Sequence, residues 1–421
     1  MIEIEARLSE LRALGLHHRI RLVSGPQGPH VVLDGKPVLL LCSDNCLGMA
    51  DHPRVREAAA EAAMRWGVGA GASRLASGTM TVHRRLEERL ASFLRRDSAL
   101  LFGSGFLAGA GVVAALARPG DVIFSDERNH ASLIDGCRLS RAEVFVYDHG
   151  DIEHLAWGLA QNHGRAALIA TEAVFSLDGA VAPLEGIVEL AQRHRVRLLV
   201  DESHGLGSLG PGGRGALAEH GLEDQVDVIV GTLGEALGSY GAFAACDRVM
   251  TQYLLHAART LTFSTAPAPP AVAGALAALA LLEERPRLVE KLRLNTAALR
   301  DGLEAEGFDM RASRTHILAL DVGDPALAIR LCDRTLTQGV FAQAVGTYVR
   351  LAVMATHRSE ELRAAARVLA DAARAIGFDP RATVVYAEPE LEYYEPDEDD
   401  QTEQTAEQTG PFDYERIAHA A

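Results

Sequence analysis

The sequence predicts an α/β fold in which a mostly parallel central sheet carries helices on both faces, followed by a smaller C-terminal α+β domain. Apolar runs rich in β-branched residues recur along residues 99–234, and helix-like stretches separate most of them. Continuous apolar strands of this kind are buried on both faces, as in parallel sheets covered by helices. From about residue 270 the pattern changes to two long helices and a second, shorter set of strands.

The individual elements follow in chain order. Residues 1–24 predict a helix leading into an arm, and residues 30–42 predict a hairpin with Asp34 and Gly35 at its turn. Strands of the central sheet are predicted at residues 99–105, 121–126, 142–148, 166–176, 196–203 and 226–234. Helices are predicted at 52–66, 83–95, 106–117, 130–140, 184–194, 271–284, 286–306 and 358–376, and later strands near 315–322 and 348–354.

These patterns divide the chain into four parts. We expect an N-terminal helix and hairpin arm at 1–45, a large domain at 46–285 and a small C-terminal domain at 286–380. Residues 381–421 form the fourth part, which is acidic and poor in core-forming residues. Such a composition cannot bury a core, so we predict a disordered tail.

The charge distribution argues against nucleic acid as a partner. The formal net charge is −16. Residues 388–421 contain twelve acidic residues and one arginine. That segment contributes −11 and leaves about −5 for the rest of the chain. No basic patch that would attract a phosphate backbone is evident in the sequence.

The N-terminus and the cysteines predict a cytoplasmic protein. The first residues are charged, unlike a secretory signal, and the longest apolar stretches are too short to span a bilayer. We therefore expect neither a membrane partner nor export. The cysteines lack zinc-ligand spacing, so we expect scattered reduced thiols and no metal; they are Cys42, Cys46, Cys137, Cys246 and Cys332.

Polar residues at three predicted strand ends are the first candidates for chemistry, because ligands of parallel sheets bind there. Ser104, Gly105 and Phe106 open a helix whose N-terminus could bind a phosphate, although a plain tight turn gives the same pattern. Asp201 ends the strand VRLLVD and needs a cationic partner or hydrogen bonds if buried; capping of the next turn is the alternative. Thr232 lies in the glycine-rich segment GTLGEALGSYG and could bind phosphate.

A series of ordered motifs makes the pattern specific. The stretches SDNCLGMADHP, GAGASRLASGTMTVHRRLEERLA, LLFGSGFLAGAGV, SDERNHASLIDGCRLS, FSLDGAVAPL, VDESHGLGSLGPGGRG and VGTLGEALGSYGAF are followed by FSTAPAPP and VRLAVMATH. With these motifs, roughly residues 10–378 resemble the α-oxoamine synthases, above all those of biotin synthesis. These enzymes use pyridoxal 5'-phosphate (PLP) to join an amino acid to an acyl thioester with loss of CO₂. The resemblance implies the fold-type I architecture of PLP-dependent transferases and a dimer.

The resemblance also implies roles for individual positions. The phosphate would lie at Ser104, Gly105, Phe106 and Thr232, with Thr265 lent to the neighbouring subunit's phosphate site. Around the pyridine ring it implies His130 stacked on the face, Asp201 at the ring nitrogen, and Ser176 and His204 near the phenolic oxygen. Arg350 would bind the substrate carboxylate, a task that suits a guanidinium, and Arg19 or Arg21 would reach the acyl substrate.

One position breaks the family pattern. Glu235 stands where the family has the lysine that forms the Schiff base with PLP and later removes the Cα proton. A carboxylate cannot form an imine, and the only lysines are Lys36 in the predicted hairpin and Lys291 on a charged helix. We therefore expect PLP without a covalent lysine link. We also expect free PLP to bind weakly, because like charges within a few ångströms in a low-dielectric site cost on the order of 1 kcal/mol or more each.

The substrate side of the site departs from the family as well. After GVFAQA the family has a loop with a PPTVP-like stretch, whereas here VGT leads directly into YVRL, about seven residues shorter. Cys46 replaces the tyrosine of an NYLGL-like motif, and Ser203 replaces the alanine of DEAH. The loss of the lysine and the shortening of this loop affect one pocket, and together they favour a chain that does not catalyse the reaction by itself.

Three functions stay open at this point. The first is an acting or recently inactivated synthase, condensing an acyl thioester such as pimeloyl thioester with L-alanine. The second is a non-catalytic subunit that pairs with a lysine-bearing paralogue, as in serine palmitoyltransferase of eukaryotes, instead of forming a homodimer. In the third, a preformed imine of alanine and PLP binds directly and Glu235 acts as the base, beside His130, Asp201 and His204.

Overall fold

The computed structural model describes residues 2–13, 20–311 and 313–381. The predicted disordered tail therefore lies, except for Arg381, outside the described residues.

The strands occupy the following residues. They are β1 (Val23–Ser24), β2 (His30–Leu33), β3 (Lys36–Leu40), β4 (Ser98–Phe102), β5 (Val122–Asp126), β6 (Glu143–Tyr147), β7 (Ala166–Glu172), β8 (Arg197–Asp201), β9 (Val228–Thr232), β10 (Ala242–Cys246), β11 (Ile317–Asp321), β12 (Val340–Phe341), β13 (Gln343–Val345) and β14 (Tyr348–Ala352). Each strand predicted in the sequence has a counterpart, with bounds that differ by a few residues.

The helices alternate with these strands. They are α1 (Ile2–Ala13), α2 (Pro53–Trp66), α3 (Thr81–Phe93), α4 (Gly105–Leu116), α5 (Ala131–Ser140), α6 (Ile152–Gln161), α7 (Leu184–His194), α8 (Ala216–His220), α9 (Arg248–Ala257), α10 (Arg259–Thr262), α11 (Pro269–Glu284), α12 (Arg287–Glu306), α13 (Pro325–Thr337) and α14 (Ser359–Ala375). None of the helices in the described part of the chain combines the length and the apolar character that crossing a bilayer requires.

The central sheet is mostly parallel, as the sequence predicts. Its seven strands have the order β4-β10-β9-β8-β7-β5-β6. Neighbours from β9 to β6 pair in parallel, whereas β10 pairs antiparallel with both β4 and β9. The sequence interpretation did not include β10, a short run of small residues that follows the glycine-rich segment.

Side chains on the two faces of the sheet enter two separate cores. In β9, Val228 and Val230 belong to one core, and Ile229 belongs to the other. The first core is closed by α4, α5, α9 and α10, and the second by α2, α3, α6, α7 and α11. Alternation with a period of two places successive side chains on opposite faces, which is why both faces of these strands are apolar.

The C-terminal region is a smaller α+β unit. Its antiparallel sheet has the order β11-β14-β13, and α12 packs against α14. The predicted hairpin is present as β2 and β3, with Asp34 and Gly35 at φ values of 47° and 82° in its turn. Strand β12 pairs in parallel with β3, so the N-terminal arm extends a sheet with a C-terminal strand. The three boundaries between the four predicted parts stay predictions.

Candidate active site

The carboxyl ends of three neighbouring strands form the floor of the candidate site. Glu172 ends β7, Asp201 ends β8 and Thr232 ends β9, and Glu172 lies directly opposite Asp201 in the register of the sheet. Parallel strands direct these ends to one edge of the sheet, where ligands of α/β proteins bind.

The predicted phosphate corner is assembled. Ser104 caps α4 and its hydroxyl accepts a hydrogen bond from the Leu107 N–H at 3.3 Å. A Cβ built on Gly105 would lie 3.6 Å from the Cβ of Thr232, so the end of β9 touches the start of α4. The Thr232 hydroxyl accepts the N–H of Gly234 at 2.7 Å. A helix N-terminus beside a hydroxyl suits a phosphate, because its first N–H groups have no partner within the helix.

Asp201, the predicted partner of the pyridine nitrogen, is buried. Its Oδ1 accepts hydrogen bonds from the backbone N–H of Ser203 at 2.9 Å and from the Ser203 hydroxyl at 2.5 Å. Burial raises the pKa of Asp201, and the Ser203 bonds and the nearby His130 oppose that rise. The serine that departs from the family motif therefore supports the aspartate.

Glu172 ties together two predicted cofactor residues and was not found in the sequence. Its carboxyl oxygens accept the backbone N–H of His130 at 2.6 Å and that of Ser176 at 3.1 Å. The His130 ring is fixed in turn by Ser132, whose hydroxyl lies 2.8 Å from Nδ1. Burial, together with the neighbouring Asp201, raises the pKa of Glu172 well above its ordinary value.

Arg350 reaches the site from β14 of the small domain. Its Nε donates to the carbonyl oxygen of Ser176 at 2.7 Å, and its Nη2 donates to Oδ1 of Asp44 at 2.9 Å. Burial raises the pKa of Asp44, but the charge and hydrogen bond of Arg350 together with the nearby His204 and His316 outweigh it, so the pKa is lowered. Asp44 is a further residue that the sequence did not single out.

Two histidines, the half-buried His204 and the buried His316, lie close to each other beside Arg350. The rings of His204 and His316 have centroids 6.4 Å apart. Burial lowers the pKa of His204 to about 4 and that of His316 to about 3, so both are neutral at physiological pH. Nδ1 of His204 and both ring nitrogens of His316 are buried without a hydrogen-bond partner in the described structure. Unpaired buried nitrogens are costly in a closed core and mark a place where a ligand can bind.

Glu235 lies in the turn that follows β9. Its Oε2 is buried and has no hydrogen-bond partner among the described residues. Burial raises the pKa of Glu235 to about 7; a hydrogen bond with Thr232 opposes the rise, and the carboxyls of Asp44 and Asp201 add to it. Cys46 lies close by, and burial followed by the charge of Glu235 raises the pKa of its thiol.

The glycine-rich segment packs against the protein's own chain. Gly238 has a φ of 57°, and a Cβ there would lie 2.2 Å from the backbone nitrogen of Ala50. Gly231 similarly faces the ring of Phe243, at 2.6 Å from a built Cβ. The close approach that these glycines allow is therefore made to neighbouring strands and loops.

The shortened substrate loop is a tight hairpin. Strands β13 and β14 pair from Gln343↔Arg350 to Val345↔Tyr348. Only Gly346 and Thr347 connect them, and Gly346 has the left-handed φ of 54°. The chain therefore enters the Arg350 strand without a pocket-forming loop.

Two predicted residues lie apart from this cluster, and a third lies outside the described residues. Thr265 is exposed, and its backbone forms an antiparallel bridge with Ser73. Arg21 pairs with Asp34 at 3.5 Å and with Asp333 at 3.3 Å on the hairpin side of the small domain. Arg19 lies outside the described residues. The roles of all three stay predictions.

The residues present fit PLP at every point except one. The buried carboxyl of Asp201 suits a ring nitrogen, the N-terminus of α4 beside Thr232 suits a phosphate, and Nδ1 of His204 is buried without a hydrogen-bond partner in the described structure. The roles of these residues and of His130 toward PLP stay predictions. The covalent attachment point does not fit, because Glu235 has no amine. No cluster of potential metal ligands occurs among the described residues.

Comparison with known proteins identifies the class. The model of the family "Aminotransferase class I and II" matches residues 36–369. The chain belongs to this family, and within it to the group of 8-amino-7-oxononanoate synthases. The enzyme of that name from Geobacter metallireducens is 44% identical over 382 residues, which cover 88% of this chain and 97% of the relative. That from Citrifermentans bemidjiense is 43% identical over 381 residues, covering 88% and 98%.

Solved structures agree with this class. A lysine-to-alanine variant of serine palmitoyltransferase from S. paucimobilis, with a bound PLP–myriocin aldimine, superposes with a TM-score of 0.84. It is 29% identical, and the match covers 89% of this chain and 98% of the other. The serine palmitoyltransferase of Sphingomonas wittichii gives 0.83 at 29% identity, covering 89% and 97%. The fold is thus that of the fold-type I PLP-dependent transferases, as the sequence predicts.

Proposed function

We propose that this chain binds a vitamin B6 phosphate reversibly in a synthase-type pocket and does not condense an acyl thioester with an amino acid by itself. One observation carries the proposal: a buried carboxyl oxygen without a hydrogen-bond partner among the described residues belongs to Glu235, the residue at the position that the resemblance assigns to the lysine, whereas the residues assigned to the ring and the phosphate are present. The resemblance found in the sequence implies an acyl thioester such as pimeloyl thioester and L-alanine as substrates. We propose these as the substrate class of the pocket.

The pocket residues have separable tasks. When bound, PLP supplies an electron sink for an amino acid's Cα. Asp201 holds the proton on the ring nitrogen, and the N-terminus of α4 with Thr232 holds the phosphate. Arg350 binds a carboxylate. Without an amine at residue 235, the chain cannot capture the aldehyde, and its proton transfer at Cα loses the lysine base.

A lysine-free pocket of this fold is compatible with ligand binding. The serine palmitoyltransferase variant that lacks a lysine carries a PLP–myriocin adduct. By analogy, this chain would accept a preformed adduct of PLP and an amino acid more readily than the free aldehyde. Glu235, with its pKa raised to about 7, is the one group in the lysine's place that could exchange a proton there.

The experiment is spectroscopic. PLP is added to the purified full-length chain and to Glu235→Lys, and both samples are then reduced with borohydride. We expect the wild-type chain to lose the ligand on denaturation and Glu235→Lys to become yellow and retain a pyridoxyl group. If Glu235→Lys takes up no PLP while remaining folded by circular dichroism, the pocket does not serve this cofactor.

A second candidate function is that of a non-catalytic subunit beside a lysine-bearing paralogue. Its support is the exposure of Thr265, together with the exposed apolar side chains Leu75, Phe106 and Phe263. The bridge between Ser73 and Thr265 brings the segments of Leu75 and Phe263 together, and contiguous exposed apolar groups favour a protein interface. A homodimer through the same surface is the simpler form. Co-expression with the paralogue distinguishes the two: co-purification and activity only in the mixture support the heterodimer.

We place the protein in the cytoplasm. All five cysteines are free thiols in the structure. Disulfides are rare in reducing compartments, so this pattern suits the cytoplasm. Fractionation of cells that express the full-length chain tests the location.

A further inference from the structure

The unpaired carboxyl oxygen of Glu235 needs a hydrogen-bond donor. Oε2 is buried, and no ion pair of Glu235 occurs among the described residues. A buried carboxylate oxygen without a donor destabilises the folded chain unless a ligand or the group's own proton compensates. The site therefore selects ligands that present a donor, and most strongly a cation, at this point.

In the part of the chain that the structure describes, no cationic side chain pairs with Glu235. Arg350 is the positive side chain of the pocket, and it is bound by the Asp44 carboxylate and the Ser176 carbonyl. His204 and His316 are held neutral by burial. Asp201 adds a further carboxyl beside Glu235. The centre of the pocket is consequently rich in carboxyl groups, which favour a cationic ligand group there and disfavour an anionic one.

We propose, resting on the function proposed above, that the pocket selects pyridoxamine 5'-phosphate over PLP, with Glu235 as the counter-ion of the aminomethyl group. The two vitamers share the ring and the phosphate and differ at one carbon. That carbon bears an aldehyde in PLP and a primary ammonium in pyridoxamine phosphate. The aldehyde oxygen can only accept a hydrogen bond, whereas the ammonium donates three.

The position of Glu235 suits this contact. In relatives with lysine at this position, the side chain bonds directly to that same carbon. A glutamate side chain is one atom shorter, and a charge-assisted hydrogen bond of about 2.8 Å to the ammonium spans the difference. The ring and phosphate contacts at Asp201 and Thr232 serve both vitamers alike, so the discrimination falls on Glu235.

Equilibrium titration tests the proposal. The full-length chain, freed of bound vitamers by dialysis, is titrated with pyridoxamine phosphate and separately with PLP in a calorimeter. We expect pyridoxamine phosphate to bind at least about tenfold more tightly, the ratio that one charge-assisted hydrogen bond supports. Glu235→Gln keeps the size of the side chain and should bring the two affinities within about threefold of each other by weakening pyridoxamine phosphate.

A control variant distinguishes the loss of a carboxylate in the pocket from the loss of a carboxylate elsewhere in the chain. Glu223 is a second largely buried glutamate, whose Oε1 forms an ion pair with Arg214 at 3.3 Å, and it lies before β9, at the opposite end of that strand. Glu223→Gln should leave the affinity ratio unchanged. Circular dichroism establishes that each variant is folded.

The outcomes are distinct. Tighter binding of PLP than of pyridoxamine phosphate, or a ratio that survives Glu235→Gln, overturns the vitamer preference and leaves the proposed function standing. Binding of neither vitamer by the folded wild-type chain overturns both. A preference for pyridoxamine phosphate that Glu235→Gln removes and Glu223→Gln retains supports both.

Discussion

Arg350 donates a hydrogen bond from Nη2 to Oδ1 of Asp44 over 2.9 Å, so the guanidinium expected to bind a substrate carboxylate already holds a carboxylate of its own chain. The arginine side chain is buried, and its Nε is bound to the Ser176 carbonyl. A substrate carboxylate must therefore compete with Asp44, whose side chain is about half exposed and can move aside.

Replacing Asp44 by asparagine should release Arg350. In a Glu235→Lys background, where PLP can attach and report on the site, we expect Asp44→Asn to bind L-alanine about 3- to 10-fold more tightly, because a competing charge has been removed. The spectral change of the cofactor on titration with L-alanine measures this. Asp51→Asn is the control, since Asp51 lies in the same segment but pairs with Arg56 on the surface. Unchanged or weaker binding in Asp44→Asn would show that the pair does not restrict Arg350.

The pKa of Glu235 predicts a dependence of stability on pH. In the folded chain this carboxyl keeps its proton up to about pH 7, and the ordinary value of 4.5 applies to the unfolded chain. The folded state therefore binds more protons between these values, and stability falls as the pH rises through this window.

Glu235→Gln should remove that part of the decline. We expect the free energy of unfolding of the wild-type chain to drop by on the order of 1–3 kcal/mol more than that of Glu235→Gln between pH 5 and pH 8. Urea titrations at the two pH values measure the difference. Glu202, with its pKa also raised to about 7, contributes equally to both chains. Glu88→Gln, at an exposed position, serves as the control and should behave as wild type. If the unfolding free energy of Glu235→Gln fell with pH as steeply as that of the wild-type chain, the burial of this charge would be refuted.

Glu172→Gln should loosen the support of the cofactor's ring. An amide can accept only one of the two backbone N–H bonds, from His130 and Ser176, that the carboxyl accepts now. We expect a loss of about 1–2 kcal/mol in unfolding free energy and a weaker affinity for both vitamers alike. Denaturation and the vitamer titrations measure these effects. A variant as stable as wild type would show that Glu172 does not position these residues.

Gly238→Ala should destabilise the fold sharply. The residue has a φ of 57°, and the new Cβ would lie 2.2 Å from the backbone nitrogen of Ala50, which cannot yield as a flexible side chain would. We expect a loss of at least about 2 kcal/mol in thermal or urea unfolding. Gly69→Ala, where a Cβ meets nothing within 4 Å, is the control and should cost well under that amount. Equal stability of the two variants would contradict the contact.

The parts of the site that local sequence encodes could be predicted. Ser104, Asp201 and Thr232 each end a strand or open a helix, and a parallel sheet brings such ends to one edge. Strand β10 was missed because its five residues, AFAAC, contain three alanines and give a weak strand pattern. The α/β fold class could be predicted because apolar runs alternate with helix-like stretches many times along residues 99–234.

The site residues that the sequence did not reveal contact partners that lie far from them along the chain. Asp44 meets Arg350 across 306 positions, and Glu172 supports His130 across 42. His316 precedes β11, and its ring lies 6.4 Å from that of His204, which follows β8 more than a hundred positions earlier. No local pattern marks such contacts, since a lone acid or histidine beside a strand is common in folded chains.

The central claim is that a vitamin B6 phosphate is held in this pocket without a covalent bond. The most direct measurement is mass spectrometry of the full-length chain with one equivalent of PLP, first under native conditions and then after borohydride reduction and denaturation. The account predicts a bound ligand in the native spectrum and an unmodified mass after denaturation. A pyridoxyl group on one defined side chain of the wild-type protein, at near-stoichiometric yield, would contradict it.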